Sequence, residues 1–301
     1  MLWRRTSALV VSASLAVGAC AGDEEGIGAG TSVVPSTTTI PVATTSTNAP
    51  VTTLASPSTT ATPTTVVEYT PGSPLGTIAV GTPTIIGRSV EGRPIEVIRR
   101  GDPDGVRVLA VGSIHGDEPA GVDIVRELTA IDVPAGIELW LIPTGNPDGL
   151  AVDRRQNANG VDLNRNFPVN WGPIEEPGHW QYAGPSAASE PETQAIAALG
   201  QELRPDLTLW YHQDLFRITP GRGLDGRIRA RYADLTGLPL LQVTGGTYTG
   251  TASQWSRSVA ADGGAGFTVE LGATLSPAEA RTHAEAVIAV AIELLVNASD
   301  G

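Results

Sequence analysis

The apolar run Val106–Ile114 passes without a break into His115-Gly116-Asp117-Glu118, and few folds accommodate that junction. A run so continuous reads as a strand buried on both faces, which requires helices on both sides of a sheet. At its end stand an imidazole and a carboxylate three residues apart. Both are first-choice zinc ligands, and the loop after a strand is where α/β proteins place their sites. His-x-x-Glu is a weak signal by itself. Its weight comes from Arg155, Asn164-Arg165, His212 and Glu270, each at or just beyond the end of an apolar segment.

The remaining pattern is strand, helix, strand, helix. Ile95–Arg99, Ile137–Pro143, Asp206–His212, Leu240–Thr244 and Gly266–Leu271 read as further strands. Glu118–Thr129, Leu224–Leu235 and Ser276–Val296 read as helices. Ser189-Glu190-Pro191-Glu192 has the form of a capping box with proline in the first turn, opening a helix over Ala195–Leu203. The segment Arg154–Trp180, rich in Asn, Gly and Pro, reads as a long loop. Repeated strand–helix units predict an α/β fold: one domain with a mixed, mainly parallel twisted sheet covered by helices on both faces. That domain is expected over residues 74–301, long enough for a full core.

The N-terminus indicates an address. Arg4 and Arg5 precede the apolar stretch Ala8–Val17, and the small residues Val17-Gly18-Ala19 precede Cys20. Residues 1–19 read as an export signal, too short to span a bilayer, with a lipobox ending at Cys20. Cys20 is therefore the expected lipidation site. It is also the only cysteine, so no disulfide framework is available. Between Gly26 and Val67 there is no charged residue. Residues 20–73 are expected to form a disordered Thr/Ser/Pro-rich stalk, because such a stretch has too little apolar surface to offset the entropy of ordering. The protein is expected to be exported and lipid-anchored to the cell membrane, facing the cell wall or periplasm, with no other membrane contact.

Charge narrows the function classes. Every basic residue is Arg, which excludes lysine Schiff-base chemistry and the phosphate-loop lysine. With 32 acidic residues and a net charge of −13, nucleic acid is not an expected partner. An anionic substrate must be gripped by a few arginines in a pocket.

A catalytic zinc needs three protein ligands and an open position. His115 and Glu118 supply two, and His212, where Asp206–His212 leaves the core, is the candidate third. Of the other histidines, His179 lies in the long loop and His283 in the closing helix, and both read as solvated. A zinc-activated water needs a base, for which Glu270 is the candidate on its otherwise apolar strand. Arg155 is the candidate for stabilising an oxyanion, and Asn164 with Arg165 for holding a substrate carboxylate.

Gly87-Arg88-Ser89-Val90-Glu91-Gly92-Arg93-Pro94-Ile95, His115-Gly116-Asp117-Glu118, Asn146-Pro147-Asp148-Gly149, Gly160–Phe167 and Phe267-Thr268-Val269-Glu270-Leu271 occur in that order. The ordered set resembles the zinc carboxypeptidase family from about Ile78 to the C-terminus. The resemblance implies one Zn²⁺ on His115, Glu118 and His212, with Glu270 as general base. It also implies Arg155 at the oxyanion and Asn164 with Arg165 on a carboxylate. Within the family the chain is most similar to the short bacterial murein peptide amidases, through Arg155–Gly160, Gly184-Pro185-Ser186 and Gly250–Trp255. It departs from the family at Leu271-Gly272, where those amidases have Leu-Pro. It also departs in the part of the chain where digestive members carry a mobile Tyr. Tyr248 precedes Trp255 and is not assigned that role.

The resemblance implies a metallopeptidase that hydrolyses the γ-D-Glu–meso-diaminopimelate bond of peptidoglycan stem peptides. The alternatives are an exported carboxypeptidase trimming ordinary L-peptides and a wall-peptide binder without activity. The expected partner is a peptidoglycan-derived peptide, and the expected state is a monomer.

Overall fold

Alternate residues along the buried runs enter two separate cores. In the computed structural model, which describes residues 67–299, Val108 and Ala110 pack into one apolar cluster while Leu109 and Val111 pack into another. That two-sided burial is what the largely apolar run Val106–Ile114 predicts.

Eight strands form one sheet among the described residues. They are β1 (Val67–Glu68), β2 (Thr84–Arg88), β3 (Pro94–Gly101), β4 (Val106–Val111), β5 (Ile137–Ile142), β6 (Leu207–Gln213), β7 (Arg217–Ile218) and β8 (Ala265–Leu271), in the order β1-β2-β3-β5-β4-β6-β8-β7. The central strands β5, β4, β6 and β8 are mutually parallel, and antiparallel pairs flank them at β3 and β7. The helices are α1 (Ala120–Ala130), α2 (Pro147–Ala151), α3 (Pro191–Leu203), α4 (Gly223–Thr236), α5 (Ala252–Val259) and α6 (Pro277–Ser299). One core gathers α1, α4 and α6 with Leu139, Leu209 and Phe267. The other gathers α3 and α5 with Trp140, Trp210 and Phe167. The mixed, mainly parallel sheet with helices on both faces is as the sequence predicts.

Several local expectations change. β4 stops at Val111, because Gly112 and Ser113 turn the chain. α1 starts at Ala120 rather than Glu118, with Pro119 as its cap residue. Proline carries no side-chain acceptor, so the helix end is capped from β6: the Gln213 side chain accepts from Ala120 N at 2.8 Å. Glu118 is thereby left on the loop, beside His115. Leu240–Thr244 is not a strand. Leu240 makes one isolated bridge to Ile218, and Leu240 and Leu241 remain exposed. The capping box before α3 does not close on itself. Ser189 Oγ donates to Glu190, and Glu192 is buried against Val90 N and Asn157. These side chains tie the helix to neighbouring loops instead. His283 is 4% exposed, contrary to its reading as solvated. It lies on the inward stripe of α6 with Ala280, Ala284 and Val287, and its Nδ1 is 2.8 Å from Tyr232 Oη.

The sheet starts at Val67, ahead of the boundary expected at Pro74, and Tyr69 is buried. The expected export signal, the Cys20 lipidation site and the stalk up to residue 66 lie outside the described residues. No helix among the described residues is long and apolar enough to cross a membrane.

Candidate active site

β4, β6 and β8 end side by side, and the crevice outside the carboxyl ends of parallel strands is where this architecture binds ligands. His115 and Glu118 come from the loop after β4. His212 sits near the end of β6, and Glu270 is its register partner on β8.

The loop after β4 has little freedom. Ser113 Oγ donates to His115 O at 2.7 Å, and Gly116 N donates to Arg154 O at 3.1 Å. A Cβ on Gly116 would collide with the Gly149 backbone, so only glycine lets the loop lie against α2. At the start of α2, Asn146 accepts from Gly149 N at 2.9 Å and donates to Arg155 O at 3.0 Å. The Asn146-Pro147-Asp148-Gly149 motif therefore fixes where Arg155 leaves the backbone. Asp148 in turn accepts from Ser89 and Arg93, which accounts for the Gly87–Ile95 motif.

Ligand atoms of His115, Glu118 and His212 lie within 4.8 Å of one another, and all three residues are buried. His115 Nδ1 is 2.9 Å from Glu118 Oε1, His212 Nδ1 is 2.7 Å from Glu118 Oε2, and the two Nδ1 atoms are 3.1 Å apart. His115 Nε2 faces Asp162 Oδ1 at 3.0 Å, so Nε2 carries the proton and Nδ1 presents its lone pair to the cluster. Two imidazole nitrogens and a carboxylate converging in one buried spot offer three donor atoms to a single cation. The set matches zinc in ligand type and number. Burial works against the charged form of Glu118, but His212 and His115 outweigh it and hold its pKa far below the usual range. Burial likewise disfavours charged His115, and Asp162 and Glu118 override it, so its pKa is raised.

Arg155 stands against the cluster, with Nη1 3.0 Å from Glu118 Oε1 and 3.1 Å from His115 Nδ1. Asp162 holds it by Nε and Nη2 at 3.1 and 2.8 Å, and the Trp180 ring stacks on it at 5.0 Å. Asn164 uses Oδ1 to accept from Ala252 N, at the start of α5, and sets Nδ2 3.4 Å from His212 Nε2. Arg165 is 3% exposed. Its Nη1 donates to Asn164 O at 2.7 Å, its Nε has no partner, and among the described residues no carboxylate pairs with it. Burial lowers its pKa. Glu270 is raised, first by burial and further by the Glu118 charge, while His212, His115 and Arg217 oppose the shift. All seven predicted residues line one cavity of about 440 Å³.

A profile described as zinc carboxypeptidase matches residues 80–214. Murein peptide amidase A of Escherichia coli K12 is 31% identical over 180 residues, covering 56% of this chain and 74% of the amidase. The chain belongs to the zinc carboxypeptidase family. This zinc metallopeptidase also matches carboxypeptidase SOL1 of Arabidopsis thaliana, at 32% identity over 136 residues, covering 40% of this chain but only 26% of the plant protein. In structure it is similar to the murein-tripeptide amidase of Escherichia coli O157. The TM-score is 0.55 at 27% identity, with 75% of this chain and 98% of that one covered.

Sequence reasoning missed three members of this zinc carboxypeptidase site. Asp162 clamps both His115 and Arg155, and the only sequence signal was its place inside Gly160–Phe167. Gln213 binds Glu118 Oε2 through its backbone N–H at 3.1 Å while capping α1. Tyr248, which the sequence reading set aside, lines the cavity with its ring 5.4 Å from the Arg165 guanidinium carbon.

Proposed function

We propose that this enzyme hydrolyses an amide bond in peptidoglycan stem peptides, the γ-D-Glu–meso-diaminopimelate bond, while tethered outside the cell by a lipid on Cys20. The observation that carries the substrate class is Arg165. A buried guanidinium with no carboxylate and an unpartnered Nε is costly unless an anion completes it. The cavity is therefore suited to a substrate carboxylate, and the likeness to murein peptide amidases of two Escherichia coli strains supports a wall peptide as its bearer.

His115, Glu118 and His212 would hold the zinc, which would supply Lewis acidity at the scissile carbonyl and lower the pKa of a water there. Glu270 is placed to take a proton from the attacking water and to return it to the leaving nitrogen. Its raised pKa suits a group that must both accept and donate. Arg155, already oriented by Asp162, donates to the oxygen that gains charge as the carbonyl becomes tetrahedral. Arg165 seats the carboxylate beside the scissile bond, with Asn164 presenting Nδ2 on the same rim and Tyr248 covering the guanidinium face.

The test is mass spectrometry of diaminopimelate-containing muropeptides after incubation with the zinc-loaded, full-length protein. The proposal expects loss of the diaminopimelate end, abolished by chelator. Release of C-terminal residues from L-peptides with muropeptides intact would identify an ordinary carboxypeptidase instead. Zinc binding without cleavage of any wall peptide would identify a binder.

A further inference from the structure

The amide-hydrolase reading above leaves open what selects the leaving residue, and the far end of the same cavity answers this. Beyond Glu270 the floor is the β7–β8 ladder. Arg217 is the antiparallel partner of Glu270, so both side chains share the cavity face. Thr268 and Thr219 continue that face, and Gly266 follows on β8, about 13 Å from Glu270 at ~3.3 Å per residue.

At Gly266 two guanidinium groups converge on one carbonyl oxygen. Arg229 Nη2 donates to it at 2.9 Å and Arg257 Nη1 at 3.2 Å. They are not equivalent. Arg229 is buried and consumed, with Asp225 taking Nε and Nη2 at 2.7 and 3.1 Å and Thr219 O taking Nη1 at 3.0 Å. Among the described residues Arg257 forms no ion pair, and its guanidinium hydrogen-bonds the Gly266 carbonyl, with the Asp225 carboxylate acting on it only at longer range. A Cβ at Gly266 would lie 3.1 Å from Ser256 Cβ and 3.5 Å from Arg257 Cγ, so the start of the Arg257 side chain packs directly over this residue of β8. The charge balance of the cavity agrees. Arg155 is offset by Glu118 and Asp162, and Arg229 by Asp225. Among the described residues Arg165, Arg217 and Arg257 form no ion pair, although the Asp162 charge reaches Arg165 and the Asp225 charge reaches Arg257.

A protein of net charge −13 thus keeps guanidinium groups without a direct ion pair, among the described residues, at two separated points of one cavity. We propose that Arg257 is a specificity-determining residue that binds a second carboxylate at the far end of the leaving residue's side chain. Arg165 seats the first carboxylate, near the scissile bond. The distance along β8 suits a long side chain with its charge at the tip, the chemistry of a diamino diacid, and disfavours aspartate or glutamate. The site reads a diacid by spacing as well as by sign.

The experiment compares two peptides differing only at that tip, γ-D-Glu–meso-diaminopimelate and γ-D-Glu–L-Lys, with zinc-loaded full-length protein. The readout is the ratio of their kcat/KM values in wild type, Arg257→Met and Arg257→Lys. Wild type should prefer the diacid. Arg257→Met should reduce that preference by at least about tenfold, the loss of one charge-assisted contact, and Arg257→Lys should restore part of it. A structural role would lower both rates and leave the ratio intact, which would overturn the inference. A wild-type ratio near unity would overturn it too, with the amidase reading still standing. If neither peptide is cleaved, that reading fails, and calorimetric binding of free diaminopimelate decides the seat. Binding weakened in Arg257→Met keeps it, and equal binding in both proteins removes it.

Discussion

His212 and Glu270 are register partners on the adjacent parallel strands β6 and β8, so a metal ligand and the proposed base stand on one face of the sheet, one strand spacing apart. That placement is set by the backbone ladder rather than by a loop. A shift of one residue in either strand would turn one of the two into the opposite core.

The acid limb of activity should reflect Glu270. It must be ionised to accept a proton, and burial raises its pKa. Activity is therefore lost as pH falls through a value above the ordinary glutamate pKa of about 4.3. A kcat/KM profile with its acid limb at or below that value would contradict the assignment.

Asp162→Asn should weaken zinc binding by about 10- to 100-fold, because the partner that fixes the His115 tautomer is lost. Competition against a chelating dye measures it. The same variant frees Arg155 from its clamp, so kcat should fall even at saturating zinc.

Arg165→Met should separate binding from folding. Losing a charge-assisted seat should lower kcat/KM roughly tenfold to a hundredfold on substrates with a free carboxylate. The melting temperature should hold or rise, because no ion pair among the described residues is broken and a buried unpartnered Nε is removed. A large loss of stability with unchanged kinetics would make Arg165 a structural residue.

His283 should make the fold sensitive to acid. Burial lowers its pKa to about 4, against an ordinary value near 6.5. The folded protein binds that proton less readily than the unfolded chain. Stability is therefore fully present above about 6.5 and lost as pH falls toward 4, by up to roughly 3 kcal/mol. Thermal melts of His283→Gln across that window should show a flatter pH dependence than wild type.

Much of this was legible because the central strands are buried on both faces. Runs such as Val106–Ile114 and Ile137–Pro143 can be little else, and ligands at their ends inherit their placement. What stayed hidden depends on tertiary context. α5 is mostly polar, and its Trp255 finds the core through Phe167, Trp210 and the bare face of Gly200 on α3. β7 has two residues and exists as a rung beside β8. Asp162 looks like any loop aspartate until His115 and Arg155 arrive from distant segments. His283 was misread from its polar neighbours, although its spacing from Ala280, Ala284 and Val287 places it on the inward stripe. The Leu240–Thr244 run is apolar but lies at the exposed edge, where bridging to Ile218 ends at one residue.

The most direct test of the account pairs zinc content with turnover in Glu270→Gln, on the full-length protein and a γ-D-Glu–meso-diaminopimelate peptide. The account predicts one zinc per chain in both proteins, and a loss of about 10²- to 10⁴-fold in hydrolysis by the variant. Wild-type turnover by Glu270→Gln with its zinc in place would contradict it.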